Sequence, residues 1–301
     1  MTSTSDPARA EPTAAPTAEP AALRVLVGFD GRSGSDDALA LARALAETTA
    51  AELIVASVRP YWPDLLGPDG FARAIESDQR WIAAEAEKIL GALPISARAL
   101  AGGEETGGLK ELAEVESIDL IVLGSTHRAG LARACPGNLG ERVLDGAPCA
   151  VAVAPRGLAE RNCSLDLIAV GYDGSRAADA ALRRAIGLAA RTGASLLVLG
   201  AVEVSLGLSG FETRAPMRLE RNRMEHHLGR ALSHVPESVT AESRLLLGSA
   251  SEILADAARE ADLLVLGSRG HYGTPSRIVL GSVGAAVVHD APCPTLITPT
   301  A

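Results

Sequence analysis

Residues 262–282 read DLLVLGSRGHYGTPSRIVLGS, an uninterrupted apolar run followed by a segment rich in glycine. A related stretch, DLIVLGSTHRAGLARACPGN, occupies residues 119–138. A continuous apolar run of this length favours a strand buried on both faces, because a strand with one wet face alternates between apolar and polar residues. The chain therefore contains the same combination of buried strand and glycine segment twice.

The whole chain is an internal duplication. The stretch VGFDGRS at 27–33 matches VGYDGSR at 170–176, and GAPCAVAV at 146–153 matches DAPCPTLI at 290–297. The offset is 143 residues for the first pair and for the stretches that begin at 119 and 262, but 144 for the second pair, which places an insertion or a deletion in the glycine segment between them. A repeat unit this long indicates two duplicated domains, because solenoid repeats are only about 20 to 50 residues long.

Composition and the internal repeat together divide the chain into a tail and two domains. Residues 1–21 consist largely of Ala, Pro, Thr and Glu without apolar periodicity, so burial cannot offset the entropy of ordering them, and we expect a disordered tail. Domain 1 is expected at 22–155, a linker at 156–163, and domain 2 at 164–301.

The fold class follows from the alternation of two apolar patterns. Strand-length apolar runs are separated by stretches with helical spacing, such as Leu41 and Leu45 in the first copy or Leu182 and Ala185 in the second. Buried strands joined through helices require right-handed parallel crossovers. We therefore predict an α/β fold with two doubly wound parallel sheets, in which ligands bind beyond the carboxyl ends of the strands.

Charge and composition argue against several classes of protein. A net charge of −9 disfavours nucleic acid as a partner, because such binding depends on clustered Lys and Arg. We expect no membrane span and a cytoplasmic location, since the sequence shows neither a long apolar segment nor a secretory signal. The four cysteines form no CxxC pair, which favours reduced structural thiols. Adjacent His226 and His227 diverge on a helix and are assigned to the surface.

The glycine segments could hold an anion. Backbone N–H groups in a glycine turn that enters a helix form a phosphate nest, although a tight turn without a ligand has the same sequence. Neither segment contains the Lys of a Walker loop. The turn after the first strand carries Asp30 or Asp173 in place of a dinucleotide-binding glycine, and its carboxylate would face a sugar hydroxyl or a base edge. Capping of the first helix is the alternative role for this Asp.

Three elements in order, an Asp-Gly turn, a segment of the form G-x2-G-x9-G-[ST] and an APC element before the last strand, resemble the universal stress protein family in its tandem two-domain form. The resemblance covers nearly all of residues 22–299. It implies five-stranded parallel sheets of order 3-2-1-4-5 and pairing of domains through their last strands. It also implies ATP with Mg2+, the adenine and ribose near the Asp and the second strand, and the triphosphate on the glycine segment.

The resemblance implies nucleotide contacts in domain 2 at Asp173, Val202, Gly267, Arg269, Gly270, Gly281, Ser282 and Val283, and in domain 1 at Asp30, Val58, Gly124, His127, Gly137 and Asn138. Both copies depart from the family pattern. In domain 2, ten residues instead of nine separate Gly270 from Gly281, so the loop must bulge. In domain 1, His127 replaces the second glycine and Asn138 replaces the Ser or Thr. Domain 2 is therefore the better predicted nucleotide site.

These observations favour a binding module over an enzyme. We expect a cytoplasmic stress-response protein that binds ATP and whose nucleotide state regulates its conformation or its protein partners. The glycine segments show no general base and no Lys beside the phosphates, so we expect no enzyme, with slow ATP hydrolysis or adenylation as an alternative. A nucleotide-free dimeric scaffold is the other alternative. Pairing of the two domains within one chain and pairing in a homodimer both stay open.

Overall fold

The computed structural model describes residues 22–59, 63–101, 105–125, 137–161, 163–203, 214–268 and 277–300. Domain 1 contains, in order, β1 (Arg24–Gly28), α1 (Ser33–Thr49), β2 (Glu52–Arg59), α2 (Pro63–Leu90), β3 (Ile95–Ala101), α3 (Glu105–Val115), β4 (Leu120–Gly124), α4 (Gly137–Leu144) and β5 (Ala150–Ala154). Domain 2 repeats this order with β6 (Leu167–Gly171), α5 (Arg176–Thr192), β7 (Ser195–Val202), α6 (Arg214–Ser233), β8 (Ala241–Leu247), α7 (Ala250–Ala257), β9 (Leu263–Gly267), α8 (Ser282–Asp290) and β10 (Thr295–Thr298). The predicted alternation of strands and helices is confirmed.

All ten strands form a single sheet of order β3-β2-β1-β4-β5-β10-β9-β6-β7-β8. Within each domain every pairing is parallel, and the order is the predicted 3-2-1-4-5. The winding reverses between β1 and β4 in domain 1 and between β6 and β9 in domain 2. Those are the two places where a doubly wound sheet opens a crevice for a ligand.

The domains are joined through their last strands, as the family resemblance implied. β5 and β10 pair antiparallel, with Thr295 opposite Val153 and Ile297 opposite Val151. This pairing occurs within one chain, so each domain covers the edge that the other would leave open.

Two apolar cores lie on opposite faces of the sheet, and each continues across both domains. The first core holds buried residues of α1, α2, α5 and α6, including Leu41 and Leu182 at the positions predicted from helical spacing. The second core holds buried residues of α3, α4, α7 and α8, such as Leu109 and Val287. Burial on both faces explains why the strands are continuously apolar.

Polar contacts reinforce the junction between the domains. Asp37 on α1 is only 3% exposed and its two carboxylate oxygens accept hydrogen bonds from the backbone N–H groups of Gly157 and Ala159, at 3.0 and 2.9 Å. Arg184 on α5 donates across the junction to the carbonyl of Asp119, at 2.7 Å. Among the described helices, none has the length and apolar character that crossing a bilayer would require.

Candidate functional site

The predicted site residues gather at the carboxyl edge of the sheet. In domain 2, Asp173 follows β6 and Gly267 ends β9, and these two strands are hydrogen-bonded neighbours. In domain 1, Asp30 and Gly124 occupy the same positions beside the paired strands β1 and β4. The structure therefore brings the Asp-Gly turn and the start of the glycine segment together at the reversal of the winding in each domain.

Asp173 belongs to the turn before α5 but does not cap that helix. Its Oδ1 accepts a hydrogen bond from the N–H of Ser175 at 2.9 Å, and Ser175 is the N-cap, accepting from the N–H of Ala178 at 3.2 Å. In domain 1 the N-cap is Arg32, likewise two residues after the Asp. The N-cap position is therefore occupied by a residue other than this Asp in each domain, and in domain 2 its side chain caps the helix.

The two carboxylates differ in how far protein groups already occupy them. Asp30 accepts from the Ser35 hydroxyl at 2.5 Å and from the Arg32 N–H at 2.9 Å, and the Arg32 guanidinium lies 3.5 Å from its second oxygen. Asp173 is exposed and, among the described residues, its carboxylate accepts only the Ser175 N–H. Domain 2 therefore offers an uncommitted carboxylate oxygen to a ligand, whereas domain 1 has its own groups around Asp30.

Gly124 and Gly267 are required by packing. A Cβ atom at Gly124 would lie well under 3.0 Å from the backbone carbonyl of Gly34, in the first turn of α1. A Cβ at Gly267 would also lie under 3.0 Å from the carbonyl of Ala177, in the first turn of α5. These glycines let the strand that carries the glycine segment approach the helix that follows the Asp turn. Both glycines therefore keep the glycine segment close to the Asp-Gly turn in each domain.

A buried serine follows each of these glycines, and sequence reasoning missed both. Ser125 is 5% exposed and Ser268 is 1% exposed, and neither hydroxyl has a hydrogen-bond partner among the described residues. Alternation along the strand places Ser268 on the same face as Leu266, which belongs to the core under α7 and α8. The signal was present in the sequence, since Gly-Ser follows the apolar run in both copies.

The helix that follows the glycine segment of domain 2 begins without a side-chain cap. Its N-cap, Gly281, has extended backbone angles. Of the next two residues, Ser282 is exposed and Val283 is half-buried. The N–H groups of the first turn therefore keep their capacity for an anion, and the helix dipole adds a favourable potential for negative charge. In domain 1, α4 begins at Gly137, followed by Asn138, whose side chain lies outside the described set.

Val58 and Val202 occupy the ends of the second strands, as predicted. Val202 is 5% exposed, and its carbonyl accepts a hydrogen bond from the N–H of Gly248 at 3.0 Å. Val58 is partly buried against the second core and pairs with Leu100 of β3. Both positions border the same edge of the sheet as the Asp turns.

An aromatic ring covers each Asp-Gly turn, an indole in domain 1 and an imidazole in domain 2. Trp81 of α2 lies against Gly31 and packs against Phe29 in a tilted arrangement, with ring centroids 5.4 Å apart, and the Arg59 guanidinium lies 4.7 Å from the Trp81 ring centroid. His227 of α6 lies against Gly174, and both its ring nitrogens are buried without a partner among the described residues. The assignment of His227 to the surface is therefore wrong, because α6 turns this ring onto the turn.

Part of the predicted site lies outside the described residues, namely His127, Arg269 and Gly270. Within the part of the chain that the structure describes, no group of three or more His, Cys, Asp or Glu residues is placed to hold a metal ion. A divalent cation at this edge would therefore need the oxygens of a ligand as well as those of the protein.

Comparisons with known proteins agree with this architecture. A family model described as Universal stress protein family matches residues 22–155 and 165–299. A universal stress protein of Thermus aquaticus is 38% identical over 135 residues, which is 43% of this chain and 96% of the relative. One from Mycobacterium tuberculosis is 25% identical over 298 residues, 92% of this chain and 100% of the relative. The crystal structure of a universal stress protein from Archaeoglobus fulgidus, 20% identical, has a TM-score of 0.67, covers 92% of this chain and 98% of its own, and shows the shared fold.

Proposed function

The chain belongs to the universal stress protein family, in a tandem two-domain form, and from this premise we propose a cytoplasmic stress-response protein that binds ATP with Mg2+. The nucleotide lies at the carboxyl edge of the sheet, first of all in domain 2. Its presence regulates the conformation of the protein or its choice of protein partner.

One observation carries the proposal: domain 2 has a buried hydroxyl without a partner among the described residues before its glycine segment, and a helix without a side-chain cap after it. Ser268, 1% exposed, directly follows β9, and Gly281 is the N-cap of α8 without a side-chain cap. A buried hydroxyl without a partner costs about 1–3 kcal/mol. A ligand oxygen, or backbone ordered around that ligand, would satisfy it.

The chemistry of each residue suits it to a different part of the nucleotide. The free oxygen of Asp173 accepts a ribose hydroxyl, since a carboxylate repels phosphate and attracts donors. The N–H groups at the start of α8 and the hydroxyl of Ser282 donate to phosphate oxygens. Bound Mg2+ would neutralise part of the phosphate charge.

The distribution of lysines along the chain supports binding more than catalysis. The lysines of the chain, Lys88 and Lys110, both belong to domain 1, and Lys110 donates to the carbonyl of Asp145. Domain 2 therefore has no Lys that could stabilise a transferring phosphoryl group. We propose a nucleotide-binding protein without a catalytic role.

The test is a nucleotide count on the purified full chain. Protein is incubated with Mg2+ and ATP, separated from free nucleotide and denatured, and the released adenine nucleotide is quantified by chromatography. About one equivalent per chain is expected if domain 2 alone binds, and about two if both domains bind. Absence of nucleotide at millimolar ATP would refute the proposal and favour the nucleotide-free scaffold.

Matched variants locate the site. Asp173→Ala should weaken ATP binding, measured by isothermal titration calorimetry, because the free carboxylate oxygen is lost. Asp30→Ala should change the total affinity less, since Arg32 and Ser35 already occupy that carboxylate. Equal losses in both variants would contradict the asymmetry between the domains.

A further inference from the structure

The end of the glycine segment in domain 2 is held by domain 1. Arg277 forms an ion pair with Glu114 of α3, with Nη2 and Oε1 2.7 Å apart, and its Nη1 donates to the carbonyl of Gly146 at 3.0 Å. The next residue, Ile278, exchanges two backbone hydrogen bonds with domain 1. The N–H of Gly146 donates to its carbonyl at 2.9 Å, and its own N–H donates to the carbonyl of Ala147 at 3.1 Å. We call these contacts the interdomain clasp.

The clasp combines a buried centre with an exposed ion pair. Ile278 is fully buried and belongs to the core that α4 and α8 share. Arg277 and Glu114 are about half exposed, with side-chain exposures of 50% and 47%. Gly146 has a φ of +76°, which a residue with a Cβ adopts at a cost. The backbone pair therefore fixes the position, and the ion pair orients the segment from outside.

The clasp lies next to the predicted phosphate-binding end of α8. Ile278 precedes the N-cap Gly281 by three residues, so the contacts to domain 1 set the path by which the chain enters the helix. On the other side, Gly146 lies two residues after the end of α4, the helix that opens the corresponding site of domain 1. The clasp therefore connects the start of one site helix to the end of the other.

A second contact links the same two helices. His289, near the end of α8, lies with its Nε2 3.2 Å from Oε1 of Glu141 on α4. This contact is separate from the clasp. A displacement of α8 would therefore be transmitted to α4 at two places.

We propose that domain 1 completes the nucleotide site of domain 2, with Glu114 and Arg277 as positioning residues that hold the entrance to α8. This inference rests on the proposed nucleotide binding and adds its regulation. The affinity of domain 2 for nucleotide depends on the clasp, and through the clasp on the state of α4 in domain 1.

The experiment uses the full chain as the parent, and the Mg2+-ATP binding that Asp173→Ala removes from it defines the site of domain 2. In this parent, Glu114→Gln should weaken Mg2+-ATP binding about two- to fivefold, the range expected for a partly exposed ion pair. The control is Glu111→Gln on the same helix, since Glu111 is exposed and has no ion pair with the described residues. That variant should leave affinity unchanged.

Charge reversal separates positioning from a general loss of stability. Glu114→Arg alone should weaken binding more than Glu114→Gln, and adding Arg277→Glu should restore part of it, because the reversed ion pair forms again while the hydrogen bond from Arg277 to the carbonyl of Gly146 is lost. Hydrogen exchange of the protein without nucleotide should show faster exchange over residues 278–285 in Glu114→Arg, with partial recovery in the double variant.

The outcomes distinguish the two proposals. If the parent binds no Mg2+-ATP, nucleotide binding itself fails and this inference fails with it. If the parent binds but Glu114→Gln and Glu114→Arg keep its affinity and its exchange pattern, the positioning role alone is overturned. Loss of affinity without rescue by Arg277→Glu would also overturn it, because the effect would not depend on the ion pair.

Discussion

Substitution of Gly124 tests whether the glycine at the end of β4 is needed for packing. An alanine Cβ at this position would lie well under 3.0 Å from the carbonyl oxygen and carbonyl carbon of Gly34. Both are backbone atoms in the first turn of α1, so no flexible side chain can move aside. Adding a methyl group to a well-packed interior costs about 1–3 kcal/mol. We expect Gly124→Ala at the upper end, about 3 kcal/mol.

The assay is urea unfolding followed by tryptophan fluorescence. Both tryptophans belong to domain 1, and Trp81 packs against Phe29 directly after β1, so fluorescence reports this domain. The control is Gly107→Ala in α3, where a Cβ would meet nothing within 4 Å. Because alanine favours a helix over glycine, this variant should keep its stability or gain up to about 1 kcal/mol.

The result that refutes the reasoning is a small difference between the two variants. If Gly124→Ala unfolds at the same urea concentration as Gly107→Ala, the close approach to α1 has no energetic weight. If it keeps its stability but loses Mg2+-ATP binding, the glycine serves a ligand directly. A loss of stability in the absence of nucleotide supports the packing role.

Three further perturbations address the Asp turn, the linker and the thiols. Asp173→Ala should weaken nucleotide binding and leave the melting temperature nearly unchanged. Ser175→Ala removes the N-cap side chain of α5, so it should lower the free energy of unfolding in urea by about 1 kcal/mol and leave nucleotide affinity unchanged. The reverse pattern would contradict this division of roles. Asp37→Ala should speed amide exchange at Gly157 and Ala159 at least about tenfold by mass spectrometry, since each loses a charge-assisted hydrogen bond, and unchanged exchange would show that the linker holds itself. Burial raises the pKa of three thiols, to about 12 at Cys149, about 11 at Cys163 and about 12 at Cys293, so little thiolate forms at pH 8. Alkylation of these cysteines should therefore be at least about a hundredfold slower in the native protein than in urea, and rapid labelling of the native protein would contradict their burial.

Much of the fold could be predicted because it depends on local patterns. The run at 263–266 forms β9, and the helical spacing around Leu41 and Leu182 identifies the faces that α1 and α5 bury. A strand buried on both faces and a helix buried on one each have a characteristic period. Because the chain is duplicated, the strands and helices predicted for one copy are expected in the other as well. The family resemblance supplied the strand order.

The candidate site could be predicted in position but not in the role of each residue. Gly124 is conspicuous in the sequence, yet a close approach to a ligand and a close approach to another helix both exclude a Cβ. Asp173 raised the same ambiguity between ligand and cap, and only the hydrogen bonds of Ser175 separated the two. Ser268 drew no attention because a serine after a strand is ordinary, and its significance comes from burial alone.

The sequence by itself determined that the protein is a duplicated α/β chain with two glycine segments at strand ends, because periodicity and repetition are properties of neighbouring residues. Only the tertiary structure decided that β5 pairs with β10 in the same chain, that His227 covers the turn of domain 2, and that Arg277 reaches Glu114. Those contacts join residues far apart along the chain or on separate elements. Their geometry depends on how all the helices and strands pack together.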